Sequence, residues 1–273
     1  MDQPVLVIEA GKGERQYWRD ILRYRELFYF LAWRDVLVRY KQTVIGIAWA
    51  LVRPFLTMVV FTVVFGKLAK LPSEGVPYPL LTFAALLPWQ FFSNALTESS
   101  GSLITNANMI TKIYFPRLVI PTSAVVVSFI DFLISFVIFV GLMVWYRFVP
   151  PATVFFLPVF AFLSFGAAMG AGLWLAALTV KYRDFRYIVP FIVQFGLYVS
   201  PVGFSSSIVP GKYQLLYSLN PMVGIIDCFR WSMLGSIAFP FTSFSLAVVI
   251  VAVMNVTGII YFRKTERAFA DII

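Results

Sequence analysis

Arg53 stands beside Pro54 in the middle of an apolar run that extends from Val44 to Phe65. Glu98 and Asp131 lie at or near similar apolar stretches, and Asp184 lies just outside one. An ionisable group in such surroundings must be paired, or turned to water or protein, because an isolated charge in an apolar medium is too costly. Arginine offers a planar fork of donors that suits phosphate or carboxylate. Arg39 and Lys41 add two cations just ahead of the run that holds Arg53. For Asp131 two roles stay open: a hydrogen-bonded carboxylate facing another helix, or a general base.

Other chemistries are poorly supplied. The chain has one cysteine, Cys228, and no histidine. An internal disulfide is impossible and the common zinc sites are excluded. The usual acid–base group at neutral pH is also missing. Gly11-Lys12-Gly13 is too short for a nucleotide-binding GxxxxGK[ST] loop and lacks the Ser or Thr that should follow. No cofactor is expected on this chain, so ATP-driven work must come from another subunit. A membrane enzyme with Asp131 or Glu98 as base is the alternative; the missing histidine and scattered carboxylates count against it.

The elements that hold these residues are written in the composition. Of 273 residues, 60% are hydrophobic and 13% charged, with mean hydropathy +0.84. Soluble domains are nearer half apolar and about one quarter charged. The solvent must therefore be lipid. The net charge of +9 fits cations that flank spans and sit on anionic lipid, rather than nucleic acid. The N-terminal forty residues lack the apolar core and cleavage site of a signal peptide, so the first span near Val44 is expected to stay in the mature protein.

We read an all-α membrane protein. Residues 1–14 form a loose tail. Residues 15–42 form an amphipathic interfacial helix, with a break expected near Tyr24; in it Asp35 and Arg39 have the spacing of a helical ion pair. Residues 43–263 hold six transmembrane helices, at about Val44–Phe65, Leu80–Leu96, Val119–Trp145, Phe155–Val180, Ile188–Phe204 and Phe244–Phe262. Residues 264–273 form a C-terminal tail. Between the fifth and sixth spans, Ser205–Ser243 reads as short apolar pieces cut by Pro210, Gly211, Pro221, Gly235 and Pro240. Such pieces suit re-entrant or interfacial helices, which need protein or a watery cavity around them.

Lys and Arg crowd the N-terminal arm, the Lys112–Arg117 and Lys181–Arg186 loops, and the C-terminus. The opposite loops carry only Lys67, Lys70, Arg147, Lys212 and Arg230. That bias puts both termini in the cytoplasm. The connection Glu98–Pro121 then lies on the same face, with Leu103, Ala107 and Ile110 at helical spacing. It is either a plain loop or a short amphipathic helix on which a motor subunit could push. Trp49 and Trp89, within or at the ends of spans, could line a sugar path; the bland reading of terminal aromatics such as Trp18, Trp145 and Tyr146 is the interfacial belt. Gly166 and Gly170, followed by Gly172, mark close helix approach, either inside one chain or between subunits.

Seven stretches, in order, resemble one family. They are Trp33–Trp49 (WRDVLVRYKQTVIGIAW), Val76–Pro79 (VPYP), Leu87–Phe92 (LPWQFF), Lys112–Arg117 (KIYFPR), Lys181–Asp184 (KYRD), Ser200–Val202 (SPV) and Asn220–Met222 (NPM). No single piece is specific, but the series is similar to the ABC-2 type permeases that export polysaccharides and polyol phosphates. The likeness runs from about Arg15 to Arg263 and leans to the O-antigen and teichoic acid exporters, with the capsule exporters similar in layout. The resemblance implies a homodimer in the bacterial inner membrane, with two copies of an ATP-binding subunit that carries ATP and Mg. It implies a coupling helix around Ser102–Lys112, with Ser102, Thr105, Asn106, Asn108, Met109 and Lys112 as contacts, and a second contact at Arg183 and Asp184. It implies a glycan on undecaprenyl diphosphate as cargo, and no nucleic acid. Arg39, Lys41 and Arg53 are then the expected holders of the diphosphate. Tyr40, Trp49 and Trp89 are the expected sugar-stacking rings.

Overall fold

A computed structural model describes residues 14–41, 44–236, 238–266 and 269. Among these residues every regular element is helical. Most of both expected tails lies outside the described residues, as do the side chains of Lys41 and Trp49.

The N-terminal arm is two helices, α1 (Glu14–Arg23) and α2 (Arg25–Lys41), which meet at Tyr24 as expected. The turn there keeps its backbone bonds: Tyr24 N–H donates to Asp20 O and Phe28 N–H to Tyr24 O. The first membrane helix, α3 (Val44–Phe61), carries Pro54 inside and ends in a π-helical stretch, Thr62–Leu68. Phe61 and Phe65 at that end close on Gly203, where a Cβ would come within 2.6 Å of the Phe65 ring.

Helix α4 (Tyr78–Thr105) is the centre of the molecule. Its 28 residues span about 42 Å at 1.5 Å per residue. The sequence reading ended this span at Leu96, because serines and Glu98 then replace the apolar residues. The helix runs on because its neighbours cover it: α3, α6, α7, α8 and α10 all pack against it. Ser93, Ser99, Ser100 and Ser102 each donate to a carbonyl three residues back, so their hydroxyls are satisfied without water.

Asn106 ends α4 and starts the single turn α5 (Ala107–Ile110). Next come α6 (Val119–Trp145), α7 (Leu157–Lys181) and α8 (Phe185–Val199). The short helices α9 (Gly211–Tyr217) and α10 (Pro221–Leu234) precede the last long one, α11 (Phe241–Glu266). Among the described residues, four segments are long and apolar enough to cross a membrane: Leu51–Leu68, Val119–Trp145, Ala152–Lys181 and Phe241–Glu266. Helix α8 is apolar but shorter, and α4 is long but more polar.

Small residues let α7 and α11 come close. Gly166 O accepts from Asn255 Nδ2 at 2.8 Å. A Cβ on Gly170 would lie 2.9 Å from the Asn255 backbone N, and one on Gly258 would lie 2.9 Å from Gly170 O. Trp174 then stacks on Tyr261 at 4.3 Å. The GxxxG step therefore joins α7 to α11 within one chain, the first of the two readings open from sequence. Gly172, on another side of α7, lets Ser99 of α4 approach.

Helix ends meet at two places. Tyr17 Oη donates to Glu266 Oε2 at 2.9 Å, Arg117 N–H donates to Glu266 Oε1 at 2.8 Å, and the Arg263 guanidinium covers the Tyr17 ring. The Arg117 side chain also donates to Glu266 O. Burial and the Glu266 carboxylate push the Tyr17 phenol above its ordinary value, so it stays a donor. At the opposite end of α6 and α11, Thr153 Oγ1 donates to the carbonyls of Trp231 and Ser232, Tyr78 Oη to Gly203 O, and Ser207 Oγ to Glu74 Oε1.

Candidate functional site

The intramembrane charges read from sequence converge. A cleft of about 310 Å³ is lined by Arg39 and Tyr40 from α2, Arg53 and Pro54 from α3, Gln90, Asn94 and Glu98 from α4, and Asp131 and Ser135 from α6. A second cleft of about 300 Å³ continues past Arg39 and Glu98 to Arg34, Asp35, Ser102, Thr105 and Asn106. The Arg39–Glu98 pair stands where the two join.

Arg39 holds the site together. Its Nη1 meets Asp131 Oδ2 at 2.5 Å and its Nη2 meets Glu98 Oε1 at 2.7 Å. Tyr40 Oη donates to the other oxygen of Asp131. Burial and the accepting Asp131 carboxylate raise the Tyr40 phenol above its usual value, which keeps it a donor here. The Asp131 side chain is only 14% exposed, so in apolar surroundings it needs these partners. Of its two open roles, the structure draws the paired, helix-facing carboxylate. Asp35, four residues before Arg39, is bonded by its neighbour Arg34 at 2.7 Å.

Arg53 differs. It is exposed, lines the same cleft, and its guanidinium has no hydrogen bond or ion pair among the described residues. One guanidinium, Arg39, answers two carboxylates; Arg53 supplies the remaining positive charge without being tied. An incoming anion of phosphate type would find a free fork at Arg53 and a committed one at Arg39. Lys41 and Trp49 cannot be placed, since their side chains lie outside the described residues.

Trp89, expected from sequence to stack on a sugar, lies among helices in this chain. Trp89 is 5% exposed, and its ring edge lies against Gly196 of α8, where a Cβ would come within 2.6 Å. Its neighbour on α4, Phe92, closes another side. Within one chain the indole is helix packing, and no face is open to a sugar. Tyr40 does reach the cleft, but its hydroxyl is engaged by Asp131.

The expected coupling residues lie together at the end of α4 and on α5. Leu103 and Ile110 are buried, as their spacing predicted, in a second apolar cluster that also takes Leu31 from α2. The separate short helix is instead a continuation of α4, a break, and one turn. At the break the Asn106 side chain shares a ladder carbonyl with its own backbone N–H: Nδ2 donates to Ser102 O at 2.9 Å, while Oδ1 accepts from Arg34 Nη2 at 3.0 Å. Thr105, Asn108 and Lys112 are exposed, Met109 is half-buried and Ser102 is buried. Arg183 and Asp184 are exposed between α7 and α8, and Asp184 O accepts from Tyr187 N–H as α8 begins.

One buried charge was misplaced by sequence. Arg230, read as a flanking loop cation, is 1% exposed. It donates to Leu81 O, Phe204 O and Val202 O at 3.2, 2.8 and 3.1 Å. It pins α10 to α4 and to the chain after α8. Helix α10 is well bounded: Asn220 Oδ1 caps Met222 N–H, Pro221 opens the first turn, and Gly235 closes it at φ +62°. Asp227, one turn before Arg230, was missed altogether. The available signal was an acid and a base three residues apart inside an otherwise apolar helix.

A family model described as ABC-2 type transporter matches residues 26–234. The chain belongs to that family. The match spans α2 through α10, so both joined clefts and the buried arginine lie within the ABC-2 unit. Among ABC-2 relatives, the O-antigen export system permease protein RfbA of Klebsiella pneumoniae is 25% identical over 241 residues, 88% of this chain and 92% of the relative. The protein of that name from Myxococcus xanthus is 27% identical over 78% of this chain and 82% of its own length. The polysialic acid transport protein KpsM of Escherichia coli is 20% identical over 86% and 92%. As an ABC-2 permease this chain is a multi-pass membrane protein and a transport subunit, with ATP hydrolysis on a separate subunit.

Proposed function

We propose that this chain is the membrane permease of an ATP-driven polysaccharide exporter in a bacterial inner membrane. It acts as a homodimer with two copies of the ATP-binding subunit, which hold ATP and Mg. The family match together with relatives named for O-antigen export carries the reading. In this reading the chain crosses six times, by α3, α4, α6, α7, α8 with its extension to Phe204, and α11. Both termini, α5 and the Arg183–Asp184 loop face the cytoplasm. The contacts of Tyr17, Arg117 and Glu266 at one end, and of Thr153, Glu74 and Ser207 at the other, support this alternation. Removing Arg230 from the outer loop charges sharpens the cytoplasmic bias of Lys and Arg.

The cargo in this reading is a polymer on undecaprenyl diphosphate. Its diphosphate meets Arg53 first, with Arg39 beside the same mouth and Lys41 as a third expected cation. Ser102, Thr105, Asn106, Asn108, Met109 and Lys112, with Arg183 and Asp184, carry the push from the ATPase. Helices α9 and α10 gate the outer side.

Deleting the gene should abolish surface polymer while lipid-linked polymer accumulates inside. Purified permease with its ATPase should show ATP hydrolysis stimulated by lipid-linked glycan. Normal surface polymer in the deletion strain would sink the proposal. The enzyme reading has lost ground, because Asp131 and Glu98 are both committed to ion pairs with Arg39.

A further inference from the structure

At the end of the bundle that carries Thr153 and Glu74, a cleft of about 530 Å³ opens between the Ser206–Ile208 turn, α9, α10 and the start of α11. That volume is within the range of small-molecule sites, about 300–1,000 Å³. Its wall is unusual for so apolar a chain. Five serines line it, with Thr242 and Gln214, beside the rings of Phe239 and Phe241. Several of these hydroxyls are already fixed. Ser218 and Ser243 bond each other at 2.8 Å, and Ser207 bonds Glu74 at 2.7 Å and Ser205 at 3.0 Å.

Asp227 lines the same cleft and is 3% exposed, yet among the described residues its Oδ1 has no hydrogen-bond partner. A buried acceptor without a donor is costly, and such groups are rare unless something else satisfies them. Burial pushes this carboxyl up, and the charge of Arg230, one helical turn away, offsets part of that rise. What is missing is a donor hydrogen rather than a positive charge. Among the described residues no three metal-ligating side chains cluster here or elsewhere, which argues against a cation. A ligand with hydroxyl donors on its edge and an apolar ring face fits the serines, the carboxylate and the two phenylalanines together.

We infer that this cleft binds one sugar unit of a passing polymer, with Asp227 Oδ1 accepting from a sugar hydroxyl. The inference rests on the export reading and adds a saccharide site at the far end from Arg53.

The test uses whole cells that make the polymer, with the complete exporter and an ATPase partner disabled in hydrolysis so that cargo stalls. A photo-crosslinking benzoyl-phenylalanine replaces Gln214, on the exposed rim of the cleft, or Gln90, in the Arg53 cleft. Captured polymer appears as a ladder above the chain on a gel and is removed by periodate. Capture is expected at both positions. Asp227→Ala should cut Gln214 capture about tenfold, the worth of one hydrogen bond to a charged group, and leave Gln90 capture intact. Intact Gln90 capture also reports that the variant folds and loads; if it does not, Asp227→Asn, which keeps the volume, replaces it. Capture at Gln90 with none at Gln214, or undiminished Gln214 capture in the Asp227 variant, overturns the sugar site and leaves export standing. Capture at neither position, with surface polymer unchanged by deleting the chain, removes both.

Discussion

Arg39 and Arg53 share a cleft but have opposite obligations. Arg39 balances Asp131 and Glu98; removing it leaves two carboxylates together, one of them nearly buried. Losing a partner of a buried pair costs about 3–5 kcal/mol, and the half-exposed Glu98 lowers this to about 1–3 kcal/mol. Arg39→Ala should therefore lower thermal stability in detergent, and adding Asp131→Asn should restore part of it. Arg53→Ala should leave stability unchanged and reduce export, read as surface polymer. Equal thermal losses in both arginine variants would refute the distinction. A second residue-scale effect is pH-dependent. Burial pushes the Asp227 carboxyl up to about 6, against the pull of the Ser206 hydroxyl and the Arg230 charge and with Glu74 adding to the rise. Tyr217 also faces this group. A raised carboxyl favours the protonated folded state, so its contribution is greatest below pH 4 and fades as pH rises through about 6. Wild-type melting temperature should thus fall relative to Asp227→Asn between pH 4 and pH 7, measured on the purified chain. The presence of these charges was legible in sequence, since an ion in an apolar run is conspicuous. Their partners were not: Arg39 is 59 residues from Glu98 and 92 from Asp131. Asp227 and Arg230 escaped notice because short apolar pieces between prolines read as a loop, where charges are unremarkable.

At the scale of elements, one chemical change should have opposite signs at different glycines. Gly170 is where α7 and α11 touch, and an added methyl would meet the Asn255 backbone at 2.9 Å. Backbone cannot yield as a side-chain tip can, so Gly170→Ala should cost about 1–3 kcal/mol. Gly101 in α4 and Gly141 in α6 have nothing within 4 Å of the position a Cβ would take. There the substitution removes only helix-breaking freedom and should be neutral or stabilise by up to about 1 kcal/mol. Thermal unfolding of the three variants in one detergent checks the order, and a stabilised Gly170→Ala would show that the helices are not held so close. The spacing of these glycines announced a close approach, but only packing could say which helix approaches. Helix α4 teaches the converse. Its extent beyond Leu96 was hidden because apolarity was taken as the mark of a span, whereas a helix surrounded by five others has no lipid to satisfy.

The molecule as a whole is tested by which of its ends face which compartment. Six crossings place Asn108 and Arg183 on the ATPase side and Lys70, Arg147 and Lys212 on the other; all five are exposed. Single cysteines at these positions would report topology with a membrane-impermeant maleimide. The native Cys228 need not be removed, because it is fully buried in α10 and should not react. In intact cells freed of their outer barriers, Lys70→Cys, Arg147→Cys and Lys212→Cys should label. Asn108→Cys and Arg183→Cys should label only in inverted vesicles. When the ATP-binding subunit is bound, labelling at Asn108 should fall several-fold while labelling at Lys212 holds, because only one face can carry the motor. The decisive position is Arg183. It follows α7 and precedes α8, the shortest of the proposed crossings, so a cytoplasmic Arg183 with an outward Lys212 requires the chain from Phe185 to Phe204 to traverse the bilayer. Its fifteen helical residues reach only about 22 Å, short of a core of about 30 Å, and the turn and bend at Ser200–Phe204 must cover the remainder. If Arg183 and Lys212 labelled from the same side, α8 would be a re-entrant helix, the crossing number would be odd, and α1 and the end of α11 could not share the face on which Tyr17 meets Glu266.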